Sequence, residues 1–335
     1  MPRIVGRTGR DYEPRNGHRC LDTALVLPCG SPCPLARNLT PVPPDPTTPS
    51  RVSAVIVNWN TREFLRECLA SLAQTAATEL REIIVVDNAS RDGSAAMVAR
   101  CFPQVTLFRN AGNTGYAAGN NQGAAAAGGE YLLLLNPDTR AVADAVAVMR
   151  RFLDAHPTAG AVALRLVHPD GRGQQSVRSF PTPLNVLVEF LGLSRLAPRS
   201  RVLGGYRMGW WDQADAREVD QPMASCLMVR RSAWQALGGM DEGFPIFFND
   251  VDFSFRLRQA GYATWFLPQA QFIHHVGGST RQVKREMIIA SHRGLERFYR
   301  KHYRGRVPYC VYLLVLVVSR AACAGRLGWR AAAGR

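Results

Sequence analysis

No CxxC pair occurs in the 335-residue chain, although it holds eight cysteines. The cysteines are scattered, so neither a structural zinc site nor a disulfide framework is expected; buried reduced thiols in a cytosolic protein are. No GxxxxGK[ST] loop exists and no GxGxxG follows the first apolar run, which argues against an NTPase and a common dehydrogenase. No GxSxG elbow appears, which argues against an α/β-hydrolase. Zinc-finger and RNA-recognition signatures are missing, so nucleic acid is not an expected partner. The N-terminal stretch lacks the continuous apolar core of a secretory signal. Acid is scarce: 26 acidic residues face 41 basic ones, for a net charge of +15. Residues 281–335 hold 13 Lys/Arg against Glu286 and Glu296, so that stretch supplies +11 of the total. Such a surface suits anionic lipid or a phosphorylated substrate.

What is present is an alternation. Residues 1–50 are rich in Pro, Arg and Gly and read as a disordered extension. From Arg51 onward, apolar strands such as "VSAVIVN", "EIIVVD", "VTLF", "YLLLLN" and "GAVALRLV" alternate with helical segments. Strands of this kind, apolar along their whole length, predict a mostly parallel sheet covered by helices on both faces. Ligands of such α/β folds bind beyond the carboxyl ends of the strands. Further along, "ASCLMVRR" reads as a strand, "SAWQALGG" and "DVDFSFRLRQAGY" as glycine-stopped helices, and "ATWFL" and "QFIHH" as two short strands. Near the C-terminus "VPYCVYLLVLVVS" (307–319) is flanked by arginines. That run falls short of the roughly 20 residues that span a bilayer, so an interfacial anchor is expected, with a terminal core helix as the alternative.

Acidic and imidazole side chains gather at the expected ligand edge. Asp87 closes its strand, where it can meet ribose or base groups or cap the next helix. Asp138 follows "YLLLLN", where it can hold a divalent cation together with substrate phosphate, or simply shape a Pro-Asp turn. Asp250 and Asp252 begin a helix after the aromatic run "FPIFF". A carboxylate beside apolar surface gains proton affinity, which suits a general base, and Asp also caps helices. His274 and His275 end a strand before a glycine turn, where imidazole can meet metal or phosphate.

Taken in order, "VSAVIVNWN", "IIVVDNASRDGS", "NAGNTGYAAGNNQG", "YLLLLNPD", "GGMDEGFPIFFNDVDFSFRLRQAGY" and "IHHVGGST" resemble the family 2 glycosyltransferases of GT-A fold, in particular the rhamnosyltransferase-like subset. The resemblance covers about residues 51–303 and implies an inverting sugar transfer from a nucleotide-sugar donor, dTDP-rhamnose or a UDP-sugar. It implies Asn58 and Trp59 against the base, Asp87 at base or ribose, and Asn113 and Gly115 bordering the donor. It further implies Asp138 and His275 at an Mg2+ or Mn2+ ion. Asp250 matches the catalytic base. The family often has an acid where this chain has Asn249, which leaves Asp252 as a second candidate base. The expected organisation is an extension (1–50), a GT-A domain (51–303) and a basic apolar tail (304–335). The tail would sit at the cytoplasmic face of the membrane, near a saccharide or lipid-linked acceptor for cell-surface polysaccharide. A non-catalytic nucleotide-sugar-binding or scaffold protein is the alternative.

Overall fold

Strands apolar on both sides are stable only when both faces of their sheet are covered. The computed structural model, which describes residues 51–275 and 284–332, has that architecture. The extension expected over residues 1–50, and the Gly-Gly-Ser-Thr that follows the His pair, lie outside the described residues.

In chain order the elements are β1 (Val52–Asn58), α1 (Arg62–Thr75), β2 (Leu80–Asp87), α2 (Ser94–Cys101), β3 (Thr106–Arg109), α3 (Tyr116–Ala126), β4 (Tyr131–Leu135), β5 (Thr139–Ala141), α4 (Ala145–Ala155) and β6 (Ala159–Val167). The second half adds β7 (Val177–Arg178), α5 (Pro183–Phe190), β8 (Arg217–Glu218), β9 (Gln221–Pro222), β10 (Cys226–Arg230), α6 (Arg231–Ala236), α7 (Asn249–Gln259), β11 (Ala263–His274), α8 (Lys284–His302) and α9 (Tyr309–Ala332). The main sheet runs β3-β2-β1-β4-β10-β6-β11-β5, with β8 on β11. Pairs β1–β2, β1–β4, β2–β3 and β6–β11 are parallel, while β10 is antiparallel to both β4 and β6.

Successive residues of a strand face opposite sides, and β1 divides its apolar set accordingly. Val52, Ala54 and Ile56 join Leu65, Leu69 and Leu72 of α1 and Met149 of α4 in one core. Val55 joins Ala117 and Ala124 of α3, Trp234 of α6 and Phe253 of α7 in the other. α3 approaches so closely that a Cβ on Gly119 or Gly123 would stand 2.7 or 2.4 Å from Val57 or Val55, which explains the small-residue composition of that helix. A third core joins Val186 of α5, Val251 of α7, Phe298 and Tyr299 of α8, and Tyr312 and Val315 of α9.

Two expectations change. The two short strands expected over 263–275 are one strand, β11, whose pairing to β6 shifts register between Leu267 and Gln271. Pro268 lies in that interval, and proline, which has no N–H for a ladder, is tolerated at such an irregularity. The C-terminal helix is also longer than its apolar run. α9 has 24 residues, and Tyr309–Trp329 is long and apolar enough to cross a membrane by length and composition alone. Its Tyr312 and Val315 pack into the third core, and Arg320 pairs with Glu296 of α8 at 3.0 Å.

Candidate active site

β1 and β2 are parallel neighbours in register, so their last residues, Asn58 and Asp87, stand side by side. Asn58 Nδ2 donates to Asp87 Oδ1 (2.9 Å), and the Ser90 N–H donates to Asp87 Oδ2 (3.0 Å). Burial of these groups is affordable because they satisfy one another. Asp87 therefore does both local jobs its position allows: it closes the turn into α2 and holds Asn58 in place.

Beyond these strand ends lies a cavity of about 390 Å³, within the range of small-ligand sites. Asn58, Trp59, Asn113, Gly115, Asp138 and Asp250 line it, together with His274. Asp87 is not on its surface and lies beneath Asn58. The structure thus brings seven of the residues singled out in the sequence to one space, from positions up to 216 residues apart in the chain.

Gly115 shows why the loop before α3 has its sequence. Its φ is +88°, and a Cβ there would meet the Pro245 carbonyl oxygen at 2.7 Å. The Tyr116 N–H donates to that same oxygen (2.5 Å), and Asn113 Oδ1 accepts from the Gly115 N–H (2.9 Å). These contacts fix the α3 end of the cavity against the loop that leads into α7. Phe248, just before α7, has φ +67°. Positive φ at a bulky residue is strained and persists only where surrounding structure enforces it. Here it turns the chain so that Asn249 and Asp250 open the helix at the cavity.

On the β4 side, Asp138 is buried and its Oδ1 lies 3.5 Å from His274 Nε2. Gln174 Nε2 donates to the His274 carbonyl (2.7 Å), which leaves Gln174 Oε1 facing His274 Nδ1 at 2.9 Å. An amide oxygen only accepts, so Nδ1 carries the proton and Nε2 of the neutral ring presents its lone pair toward Asp138. A ring nitrogen and a carboxylate oxygen at that distance can share one cation. The second-site partner on Nδ1 is also the usual arrangement of a metal-binding histidine. Among the described residues no cluster of three or more His, Cys, Asp or Glu could hold a metal. A carboxylate and an imidazole still fit a cation whose remaining ligands are substrate phosphates and water.

His275, the histidine singled out for the metal, is not on the cavity surface. Its N–H donates to the Asp138 carbonyl (2.9 Å), and its ring packs against Phe64 at 5.2 Å. β11 ends at His274, which faces the cavity, and the next residue is turned away by its backbone bond to Asp138.

Asp250 and Asp252 differ sharply. Asp250 is half-buried in the cavity wall, with its Oδ1 accepting from the Val251 N–H (2.9 Å). Burial raises its proton affinity above the ordinary carboxylate range. Asp252 is completely buried and turned toward α8. Its oxygens lie 2.7 Å from Arg256 Nε, 2.8 Å from Lys301 Nζ and 2.7 Å from His302 Nε2. Burial alone would raise its pKa, but His302, Lys301 and Arg256 together hold it below the ordinary value. A carboxylate so engaged is a poor base and has no access to the cavity, so Asp252 is withdrawn as a catalytic candidate. Asn249, at the position where an acid was looked for, donates through Nδ2 to the Ile246 carbonyl (2.8 Å) and ties the loop to the helix start.

Sequence reasoning missed the far wall: Tyr116, Met223, Ala224, Ser225, Ile246 and Phe247. The Tyr116 hydroxyl donates to the Ala224 carbonyl (2.7 Å), and Asn136 Nδ2 donates to Ser225 Oγ (3.1 Å). The antiparallel insertion of β10 beside β4 brings Ser225 there, and no local pattern announces such a long-range pairing.

Comparison with known proteins bears on the family and the fold. A family model described as "Glycosyl transferase family 2" matches residues 53–211. Over 262 residues the chain is 27% identical to the N-acetylglucosaminyl-diphospho-decaprenol L-rhamnosyltransferase of Mycobacterium tuberculosis, covering 75% of this chain and 84% of that protein. It is 24% identical over 242 residues to the rhamnosyltransferase WbbL of Escherichia coli, covering 69% of this chain and 85% of that one. The solved mannosyltransferase PcManGT from Pyrobaculum calidifontis, in complex with GDP-Man and Mn2+, has the same fold with a TM-score of 0.54. That match covers 90% of this chain and 81% of the other at 21% identity.

Proposed function

We propose, for a chain that belongs to the family 2 glycosyltransferases of GT-A fold, an inverting and cation-dependent transfer of a sugar, with rhamnose the first candidate. The donor is a nucleotide diphosphate sugar, and the acceptor is a saccharide or lipid-linked saccharide for cell-surface polysaccharide at the cytoplasmic membrane face. The observation that carries this reading is one cavity with the Asp138–His274 pair on one side and the half-buried Asp250 on the other. The rhamnosyltransferase relatives support the choice of sugar, and the diphospho-decaprenol in the name of one supports the acceptor class.

Each residue then has a physical task. Trp59 offers a flat apolar face to the base, and Asn58, whose amide is held by Asp87, Ser90 and Thr61, fixes the strand end from which Trp59 enters the cavity. Asp250 accepts the proton of the attacking acceptor hydroxyl. A base of raised proton affinity does this better, because proton transfer is favoured when the pKa values approach each other. Attack from the face opposite the diphosphate, through an oxocarbenium-like transition state, inverts the anomeric centre without an enzyme nucleophile. Asp138 and His274 would hold the Mg2+ or Mn2+ ion, which when bound supplies charge stabilisation to the leaving diphosphate. Gln174 keeps the His274 lone pair aimed at that position.

The test is donor turnover with and without Mn2+ or Mg2+. Asp138→Ala is expected to abolish metal-dependent transfer while leaving the protein folded. Full activity of that variant, or of wild type in chelator, would refute the reading. Donor binding with no transfer to any acceptor extract would favour the non-catalytic alternative. For the membrane, the exposed Tyr309, Leu313 and Val317 of α9 are the residues to change. Serine at all three is expected to abolish binding to anionic vesicles with the fold intact; unchanged sedimentation with vesicles would rule out α9 as the anchor.

A further inference from the structure

A second cavity, of about 560 Å³, adjoins the first and shares Ile246 and Phe247 with it. Its floor is α8. Arg293, Arg297 and Arg300 line it at spacings of four and three residues, which puts them on one helix face. Its opposite wall is the apolar loop that leads to Asp250, including Phe244 and Phe247. α8 lies hard against that loop: a Cβ on Gly294 would stand 2.9 Å from the Phe248 ring. The groove therefore runs beside the loop whose next residues form the cavity wall at Asp250.

The three arginines are not equivalent. Arg297 is fixed, with its Nη2 3.0 Å from Asp241 Oδ1 and its guanidinium 5.1 Å from the Phe244 ring centroid. Arg293 and Arg300 are exposed and pair with no acid among the described residues. Two acids also line the groove. Glu296 is committed to Arg320 of α9, and Glu286 stands in the first turn of α8, about 10 Å along the helix from Arg293. The charge left over in the groove is the pair of forked cations against the more distant Glu286, a net positive balance, and forked guanidinium groups match phosphate oxygens in geometry.

An apolar stripe on α9 is linked to the edge of this anion site through one ion pair. Arg320 reaches Glu296 at the groove's edge, and Leu313 and Val317 precede it by seven and three residues, on the same face of α9. Tyr309, Leu313 and Val317 are 68%, 41% and 63% exposed. A ligand that suits both features carries phosphate at one end of a hydrocarbon chain.

We propose that this groove is the acceptor subsite and binds the diphosphate of a polyprenyl-diphosphate-linked saccharide, with Arg293 and Arg300 as its phosphate ligands and the Tyr309–Leu313–Val317 stripe along its lipid. The assignment rests on the glycosyltransferase reading for its purpose but not for its test. Farnesyl diphosphate is titrated calorimetrically against the full chain with the first cavity saturated by UDP and Mn2+. Inorganic pyrophosphate, farnesol and phosphatidylglycerol vesicles serve as the other arms. Farnesyl diphosphate is expected to bind more tightly than pyrophosphate or farnesol. Arg293→Glu/Arg300→Glu is expected to weaken it about tenfold or more, since two charge-assisted contacts become repulsive. Arg293→Gln/Arg300→Gln, which keeps the fold with less risk, should weaken it by a smaller factor. UDP affinity should stay unchanged in both.

Equal farnesyl diphosphate affinity in wild type and the folded Gln variant would overturn the proposal. So would a parallel loss of UDP affinity, which would place the arginines in the donor site, or a loss confined to vesicles, which would make them membrane contacts. In turnover assays the KM for a prenyl-diphosphate-linked N-acetylglucosamine should rise and the donor KM should not. If wild type transfers sugar to nothing, the proposed function falls, and the titration still decides the groove.

Discussion

The two sides of α7 carry the same residue type two positions apart and treat it in opposite ways. On the cavity side, Asp250 is half-buried among Tyr116, Ala224 and Phe247, with backbone N–H groups as its hydrogen-bond donors. On the other side, Asp252 meets Arg256 of its own helix and Lys301 and His302 of α8. A rotation of 100° per residue puts positions i and i+2 on nearly opposite faces. Burial opposed only by backbone N–H groups and the charge of Arg178 leaves Asp250 with raised proton affinity, while burial in contact with three cations makes an acid into an anchor. Sequence pattern sees two aspartates at a helix start; only the neighbours of each face separate the proposed base from the anchor.

The strongest way to break the cavity side is Asp250→Asn, which keeps the size of the side chain and removes the proposed base. It is expected to lower kcat by about 10²–10⁴-fold, the usual worth of general base catalysis. Donor affinity by titration should be unchanged. Near-wild-type turnover would show that Asp250 does not act as the base.

Breaking the other side is a matter of stability. Asp252→Ala strands His302, which is 5% exposed, beside the Arg256 and Lys301 charges. Loss of one partner from a buried ionic cluster costs about 3–5 kcal/mol, which denaturant unfolding would resolve clearly. The folded fraction should retain donor binding, since Asp252 does not reach the cavity. A smaller effect is expected of His302→Phe, which leaves Arg256 and Lys301 on the carboxylate. That change removes a hydrogen bond to a charged group, worth about 1.5–3 kcal/mol, and returns part of it through packing beside Phe255 and Phe298.

The two sides of α7 also mark where sequence reasoning ends. The sheet from β1 to β4 was legible because strands buried on both faces write their burial into every residue, as the "LLLL" of β4 does. That the ends of β1, β2 and β4 meet at one edge followed from one rule, that parallel strands end on the same side; Asp250, at a helix start, was expected there only from the family resemblance. What was not legible depends on contacts between distant segments. The choice of His274 over His275 turns on strand facing after the irregularity at Leu267–Gln271, which resets the alternation expected from the strand's start. Asp252 was misread because its cations lie in α8, about 50 residues later, as the His302 contact shows. α9 runs on past the short apolar run, with its Arg320 paired to Glu296 of α8, a contact between distant segments that the local pattern does not show.

The smallest expected effect is also the sharpest contrast, since the two aspartates should bend the pH dependence of stability in opposite directions. Burial raises the folded pKa of Asp250. Between the unfolded value and that raised value the native state holds more protons than the unfolded state, so stability contributed by this site falls as pH rises. Above the raised value its ionised form is a standing cost. Asp250→Asn should therefore be more stable than wild type at neutral pH, and the gain should vanish below the ordinary Asp range, where both states are protonated. Asp252 has a lowered folded pKa. Its contribution is present in full above the unfolded value and is lost as pH falls through the folded one, so Asp252→Asn should be less stable at neutral pH and approach wild type only in acid. Urea unfolding of the three proteins from pH 3 to 8 reads both curves at once. Parallel curves for the two variants would mean that both faces of α7 present the same electrostatic environment, and the division of labour between base and anchor would have no physical basis.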